Sequence, residues 1–380
     1  MDNKVFKKWN NLFGYGLFFI ALLTFGITVE PTASFWDCAE YIATSAKLQV
    51  GHPPGAPLFQ MMGAFFSIFA SSPDQIALMV NFMSVISSAT TILFLFWTIT
   101  LLLKKIYNIK SFDSSIKRIS FFGSASIGSL AFCFSDSFWF NAVEAEVYAM
   151  ATCLMSIMFW VSLKWESEMN TPRGDRWLVL ISFLVGLSFG VHFMALLTIP
   201  AMGMLYYFKN YKKITLKGFI VANLISVAIL LFIFKLLLPS TLAFFGNSEV
   251  FFVNNFGLPF NSGTIIAGLI IIASFYYGLR YTHKKNWINI NTGILCTLFI
   301  LIGFASWIMI PIRSNANTVI NENAPSDARL LLAYYNLEQY PETKLFYGPM
   351  FSDIYSGQDE NEPFIDDKPK YERDLKTGKY

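Results

Sequence analysis

The sequence predicts an all-α polytopic membrane protein, from its composition, its long apolar stretches and the positions of its basic residues. Hydrophobic residues make up 54% of the 380 positions and charged residues only 14%, and the mean hydropathy is +0.48. Soluble domains carry about 25% charged residues, so the main solvent of this chain is the lipid bilayer. Basic and aromatic residues do not run together as they do in nucleic-acid-binding proteins, so no nucleic-acid partner is expected.

Apolar stretches of spanning length predict about nine transmembrane helices. A helix needs about 20 apolar residues to cross roughly 30 Å of hydrocarbon. The single spans are predicted at residues 12–29, 76–103, 119–135, 147–163, 218–238, 263–281 and 288–312. The stretch 177–208 is too long for one span and is basic at both flanks. It therefore predicts a hairpin of two short helices that turns near Gly190, Val191 and His192.

The basic clusters orient this predicted bundle. They fall at alternate connections, in residues 4–8, 104–118, 209–213 and 280–285. Because basic loops stay in the cytoplasm, the amino terminus is predicted inside and the chain from Arg313 onward outside. The first apolar run has no clear cleavage site after it, which favours a retained anchor over a signal peptide.

Two domains are predicted. Residues 1–312 form the membrane domain, and residues 313–380, with 8 basic and 12 acidic side chains, form a polar extracytoplasmic tail. We expect this tail to be the start of a longer region. Residues 56–70 are apolar but too short for a span, so they predict an interfacial helix in the first outer loop.

With this topology the unusual polar residues collect in four outer connections: residues 32–57, 136–146, the turn at His192, and 239–261. Asp37 and Glu40 are the candidate catalytic residues of the first. Ser34 three positions before Asp37 suggests a helix start, and the spacing of three places both carboxylates on one face. Partly desolvated carboxylates suit general-base chemistry. The alternative is that Asp37 only complements a helix dipole while Glu40 is solvated.

His52, Glu144 and Glu146 are candidate substrate-binding residues. The two prolines after His52 hold it extended, which presents the imidazole rigidly, although a turn that only redirects the chain has the same pattern. Glu144 and Glu146 stand at the mouth of an apolar span, where acids usually face a cavity or a partner. A metal pair there is weakly supported because no third ligand is in sight.

His192 and Arg313 complete the candidate substrate-binding set. His192, at the tip of the predicted hairpin, can donate to a phosphate or can be a satisfied core histidine. Arg313, at the outer end of the last span, suits a phosphate clamp because a guanidinium binds phosphate through two N–H groups. A snorkelling anchor is the alternative for Arg313.

Three blocks of the sequence together resemble a known family. They are Trp36-Asp37-Cys38-Ala39-Glu40-Tyr41 with Gly51-His52-Pro53-Pro54-Gly55, Phe138-Trp139-Phe140 with Glu144-Ala145-Glu146-Val147-Tyr148, and Pro311-Ile312-Arg313 with Asn321-Glu322-Asn323. The chain resembles, over most of residues 10–350, a bacterial membrane family related to a eukaryotic transmembrane protein O-mannosyltransferase. Such proteins are similar to GT-C glycosyltransferases.

The resemblance implies a GT-C-like bundle in the inner (cytoplasmic) membrane, with its active site on the extracytoplasmic face. It implies transfer of mannose or another hexose from a polyprenyl-phosphate sugar to Ser or Thr of a protein or peptide acceptor, with inversion. The catalytic base would be Asp37, with Glu40 as the rival. Arg313, with His192 or His52, would stabilise the departing phosphate.

In the same resemblance, Glu144 and Glu146 would hold sugar hydroxyls, the acceptor or a metal. Neither outer loop contains Asp-x-Asp, so a divalent metal is not expected, and the lipid-linked donor is the one small molecule implied. A transporter or flippase of a lipid-linked or small anionic substrate is the alternative, because intramembrane acids and histidines also mark ion paths. The acids here lie at span mouths on one side, which favours the enzyme. A third reading is a non-catalytic scaffold.

Overall fold

The computed structural model describes residues 3–107, 114–340 and 371–380. Lys110 of the predicted cytoplasmic cluster and residues 341–370 of the predicted tail lie outside the described residues. The helices are α1 (Asn3–Ile27), α2 (Cys38–Lys47), α3 (Pro57–Ser67), α4 (Ile76–Ile106), α5 (Ser115–Cys133), α6 (Asp136–Ala142), α7 (Val147–Glu168), α8 (Asp175–Ser188), α9 (Ile199–Asn210), α10 (Leu216–Leu231), α11 (Leu238–Phe256), α12 (Ser262–Lys284), α13 (Ile288–Phe304), α14 (Met309–Ser314) and α15 (Ala328–Tyr335).

The all-α polytopic fold is confirmed. Within the described ranges, six helices are long and apolar enough to cross a membrane, and a seventh span exists if α5 and α6, bent by 69°, count as one. The chain is therefore a multi-pass integral membrane protein. The count of nine spans stays a prediction, because α8 and α9 are only 14 and 12 residues long.

The stretch 177–208 folds as two helices with a turn between them, as predicted. After α8 the chain turns through Gly190 and continues in a short 3-10 helix, Phe193–Thr198, that leads into α9. Helix α8 packs so closely on α13 that a Cβ at Gly186 would clash with the carbonyl oxygen of Ile300. Small residues permit this backbone approach between membrane helices.

The first outer loop contains two short helices, α2 and α3. Helix α3 has 11 residues, which gives a length of about 16 Å, so it cannot cross a bilayer. This agrees with the predicted interfacial helix. The backbone N–H groups of Leu58 and Phe59 donate to the carbonyl of Gly190 at 2.7 and 3.1 Å. The start of α3 is thus joined to the turn after α8.

The predicted outer connection at 239–261 is helical for most of its length, and its position outside the membrane stays a prediction. Helix α11 follows α10 through a π-helical segment, Phe232–Leu237, and the helical run Leu216–Phe256 has 41 residues. The carboxylate of Glu249 is satisfied within a helix pair. Buried Glu249 of α11 accepts the backbone N–H groups of Asn261 and Thr264 at 2.5 and 2.8 Å, and so caps the start of α12.

Candidate active site

Asp37, Glu40 and His52 meet at one end of the helix bundle, and we call them the acidic cluster. The Nδ1 atom of His52 lies 2.9 Å from Oε2 of Glu40, and its Nε2 atom lies 3.7 Å from Oδ2 of Asp37. The imidazole is therefore placed between two carboxylates. The side chain of Asp37 is 57% exposed, whereas those of Glu40 and His52 are 31% and 28% exposed. Asp37 is the carboxylate most open to a substrate.

The start of α2 positions the two carboxylates. Asp37 is the residue before the first helical turn, and Glu40 lies within that turn. The predicted helix start at Ser34 is wrong, because the helix begins four residues later, at Cys38. A carboxylate in the first turn interacts favourably with the helix dipole. Glu40 also accepts the backbone N–H of His52 at 2.6 Å. It thus ties the Gly51-His52-Pro53 loop to α2 through both of its oxygens.

The pairing of Glu40 with His52 shifts both pKa values in the directions that favour an ion pair. Burial raises the pKa of Glu40, but the side-chain and backbone hydrogen bonds from His52 outweigh burial, and the net pKa is lowered. The hydrogen bond to Glu40 raises the pKa of His52 against the opposing effect of burial, with further contributions from Asp37 and Glu146. The imidazole therefore holds its second proton to a higher pH than a free histidine.

Glu146 lies directly beside the acidic cluster. Its Oε1 atom accepts the backbone N–H of Asp37 at 3.0 Å, and the residue is only 4% exposed. Burial raises the pKa of Glu146, and together with the nearby charges of Asp37 and Glu144 it brings the pKa to about 7. A carboxyl group with a pKa near neutrality can take or give a proton at physiological pH.

Glu144 is buried next to Glu146. Its side chain is hydrogen-bonded to Ser34, and burial raises its pKa. Its Oε2 atom has no hydrogen-bond partner among the described residues. A buried, unsatisfied carboxyl oxygen is costly, so it marks a position where a ligand hydroxyl can donate.

His192 adjoins this region through Tyr148, whose ring centroid lies 5.3 Å from that of the imidazole. The Nδ1 atom of His192 accepts the backbone N–H of Met194 at 3.1 Å, and burial lowers the pKa of the ring. Nδ1 is thus the acceptor of a neutral imidazole, which leaves the proton on Nε2. His192 is a neutral donor rather than a cation.

Arg313 does not join the acidic cluster in the described structure. Its Nε and Nη2 atoms donate to the carbonyls of Leu48 and Lys47 at 2.5 and 3.2 Å, which places it at the C-terminal end of α2. Asp37 lies at the opposite end of this 10-residue helix, about 15 Å away along its axis. The guanidinium therefore caps α2, an interaction that also suits the negative end of the helix dipole.

Two buried side chains that the sequence analysis did not select hold the site in place. Asn81 of α4 donates to the carbonyls of Glu30 and Thr32 at 2.7 and 2.8 Å and so fixes the start of the first outer loop. Tyr334 of α15 donates to the carbonyl of Gly51 at 2.5 Å. An asparagine within an apolar span is the signal that would have identified Asn81.

The acidic cluster also has donor atoms for a cation. One oxygen of Asp37, one of Glu40 and a nitrogen of His52 lie within 4.8 Å of one another. Carboxylate and imidazole groups fit a divalent metal. Glu40 and His52 are already joined by a 2.9 Å hydrogen bond, which metal binding would have to replace. The expectation that no divalent metal is needed stays a prediction.

An apolar cavity of about 480 Å³ lies away from these residues, between α8, α9, α10 and α13. Its lining includes Trp165, Ile199, Ile229 and Ile300, and none of the seven predicted site residues contributes to it. Asp37 and the residues around it therefore lie outside this cavity.

Comparison with known proteins relates the chain to one family. Residues 37–215 match the N-terminal domain of protein O-mannosyl-transferase TMEM260. The chain is also similar to the protein O-mannosyl-transferase tmem260 of Dictyostelium discoideum, with 23% identity over 162 residues. That alignment covers 42% of this chain and 18% of the relative, so the chain spans only a small part of the curated protein it matches. No solved structure matches the chain.

Proposed function

Because the chain is related through residues 37–215 to the protein O-mannosyl-transferase TMEM260 family, we propose that it is a membrane glycosyltransferase with its catalytic base at Asp37. The observation that carries this proposal is the exposed Asp37 carboxylate, held beside His52 and next to buried Glu146. The family match begins at Asp37 and includes six of the seven predicted site residues.

The proposed reaction moves a sugar from a polyprenyl phosphate to a Ser or Thr hydroxyl of an extracytoplasmic protein. Asp37 accepts the hydroxyl proton while the hydroxyl oxygen forms a bond to the anomeric carbon. The bond from that carbon to the phosphate oxygen breaks, and its electron pair leaves with polyprenyl phosphate. Attack from the face opposite the leaving group inverts the anomeric centre.

The surroundings of Asp37 support a lipid-linked donor. The two preceding side chains, Phe35 and Trp36, are 75% and 84% exposed. Exposed aromatic residues of this kind are enriched at the membrane–water interface, where the phosphate of a lipid-linked sugar also lies. We place this end of the bundle on the extracytoplasmic side, in accord with the basic residues at the other ends of the helices.

The remaining residues have proposed roles in substrate binding. His52, with its raised pKa, carries positive charge towards the leaving phosphate, and His192 donates from Nε2. Glu144 and Glu146 accept hydrogen bonds from sugar or acceptor hydroxyls. A contact of Arg313 with the phosphate stays a prediction, because the guanidinium binds the carbonyls at the far end of α2, about 15 Å along the helix axis from Asp37.

The experiment is transfer of radiolabelled mannose from polyprenyl-phosphate mannose to a Ser/Thr-rich peptide by membranes that contain the full chain. Asp37→Asn should abolish transfer while donor binding persists, because the amide keeps the shape but cannot accept the proton. Asp136→Asn, an exposed acid at the start of α6, is the matched control and should retain wild-type transfer. Near-normal transfer by Asp37→Asn would remove Asp37 from the mechanism.

A further inference from the structure

A polar cavity, separate from the apolar cavity described above, lies at the end of the bundle opposite the acidic cluster. Its volume is about 890 Å³, and its lining comes from α1, α4, α7 and α9. Helix α4 starts near the cluster and brings Lys104 to this cavity at its other end, and α7 likewise runs from beside Glu146 to Lys164. The two sites are therefore separated by the length of the spanning helices.

Five lysines converge on this space, which we call the basic cavity. They are Lys7, Lys104, Lys105, Lys164 and Lys209. Against these five positive charges, Glu166 is the single carboxylate among the described residues of the lining. The local excess of four positive charges is large for an interior surface, and it requires counter-ions.

Glu166 neutralises only part of this charge. Its side chain is 9% exposed, and its Oε1 atom lies 2.7 Å from the Nζ atom of Lys105 and 3.6 Å from that of Lys209. Glu168, which also attracts Lys164, is itself paired with Arg176 at 2.8 Å. In the part of the chain that the structure describes, Lys7, Lys104 and Lys164 have no ion pair.

Two of these three ammonium groups lie over aromatic rings. Lys104 lies 4.6 Å above the ring of Phe6, and Lys164 lies 5.1 Å above that of Trp160. The rest of the lining is apolar, amide-bearing or hydroxyl-bearing, with Trp97, Leu101, Leu163, Asn10, Asn11 and Ser167. The cavity thus combines a cationic rim with an apolar wall, so it matches an amphiphile rather than a free ion.

We propose that the basic cavity binds the phosphate group of a membrane lipid, separately from the proposed donor site. The clustered basic residues alone would follow from the positive-inside bias of membrane proteins, which distributes lysines over loops. Here they surround one volume at the ends of four different helices, beside apolar side chains that an acyl chain can contact. Lipid phosphates bind in basic pockets between membrane helices in this manner.

The proposal is tested on the purified full chain in uncharged detergent micelles, by the shift of the thermal unfolding midpoint with added ligand. The three probes are dihexanoyl phosphatidic acid, dihexanoyl phosphatidylcholine and inorganic phosphate. We expect saturable stabilisation by the phosphatidic acid and a weaker effect of the zwitterionic lipid. An equal response to inorganic phosphate would assign the cavity to free phosphate and overturn the lipid proposal.

The variant is the double substitution Lys104→Gln with Lys164→Gln. Its half-saturating concentration of phosphatidic acid should rise at least about tenfold, because two charge-assisted hydrogen bonds are lost. The matched control, Lys212→Gln with Lys284→Gln, removes the same charge from exposed positions outside the cavity and should bind as the wild type does. Equal loss in both variants would mean that net charge, not this cavity, attracts the lipid.

Discussion

Glu40 binds His52 at two points, with one oxygen on the backbone N–H and the other on the imidazole Nδ1. The two residues are 12 positions apart, so this pair closes the loop between α2 and Pro53. It fixes both the position of the ring and the direction in which Nε2 points. Asp37 then lies 3.7 Å from Nε2 without competing for Nδ1. The rival candidates for the base therefore have different structural roles, in which Glu40 positions the imidazole and Asp37 faces solvent.

The first prediction concerns Glu40→Gln. The amide keeps one acceptor for the backbone N–H but removes the charge that holds the imidazolium, so the pKa of His52 should fall towards its ordinary value. Transfer should decrease about tenfold, with most of the loss in kcat, because the donor-binding groups remain. Steady-state kinetics on the labelled peptide measure this. Glu322→Gln, an exposed acid on the segment that pairs with Val50, is the control and should have wild-type kinetics.

The pH window of the Glu40–His52 pair gives the second prediction. The pKa of Glu40 is lowered, so its contribution is present above pH 4.5 and lost as pH falls through the folded pKa. The pKa of His52 is raised, so its contribution is present below pH 6.5 and lost as pH rises through the folded pKa. The protection factors for amide hydrogen exchange at Gly51, His52, Gly55 and Ala56 should therefore be highest between these limits. A protection profile with the same pH dependence as that of Glu40→Gln would contradict the pairing.

The third prediction concerns Glu146, whose pKa is raised from 4.5 to about 7. A folded state that holds the proton more tightly than the unfolded state loses stability as pH rises from about 4.5 to 7. Glu146→Gln keeps the acceptor for the Asp37 N–H but has no charge to bury. Its thermal midpoint should exceed that of the wild type at pH 8 and match it at pH 4.5. Parallel curves for the two proteins would show that Glu146 does not titrate in this range.

The membrane spans could be predicted from the sequence, whereas a contact between two helices could not. The spans and the turn at Gly190 follow from runs of apolar residues, which the bilayer imposes on any sequence. The helix over residues 239–256 could not be predicted from apolar runs. Its polar residues suggested a loop, whereas Glu249 is satisfied by the backbone of Asn261 and Thr264 in the neighbouring helix. Such a capping partner is visible only in three dimensions.

The same limit applies to the site. The spacing of Asp37 and Glu40 follows from local helix geometry, so a shared position at the start of α2 could be predicted. The contact of Arg313 with the carbonyls of Lys47 and Leu48 spans more than 260 positions. No local pattern indicates it, and the predicted outer position of Arg313 gives no information about which group it binds. Asn81 is an amide within an apolar span, but its partners Glu30 and Thr32 are 51 and 49 positions away, so no local pattern indicates them.

The fourth prediction concerns Asn81→Leu. The substitution keeps the approximate volume but removes the donors to the carbonyls of Glu30 and Thr32. The carbonyls of Glu30 and Thr32 lose their donor, at a net cost of about 0.5 to 1.5 kcal/mol for each hydrogen bond, so the unfolding midpoint in detergent should fall and transfer should weaken. Asn223→Leu is the control, because Asn223 donates to the carbonyl of Phe219 in its own helix and to Met204 Sδ. An equal loss of stability in both variants would argue against a special role of Asn81.

The last prediction separates two roles of Arg313. If the guanidinium acts as the cap of α2, Arg313→Gln should speed amide exchange at residues 44–48, since the carbonyls of Lys47 and Leu48 lose a charged donor. If it also binds the donor phosphate, the same variant should raise the KM for polyprenyl-phosphate mannose. Arg313→Lys separates the cap from phosphate binding. The ammonium group of lysine can donate to a carbonyl, but it lacks the planar guanidinium that can bind a carbonyl and a phosphate at the same time. We expect near-normal exchange in Arg313→Lys, and a raised KM in the same variant would show that the guanidinium also binds the phosphate. Arg280→Gln, a change at the end of α12, is the control. A KM unchanged in both Arg313 variants would leave capping as the function of this residue.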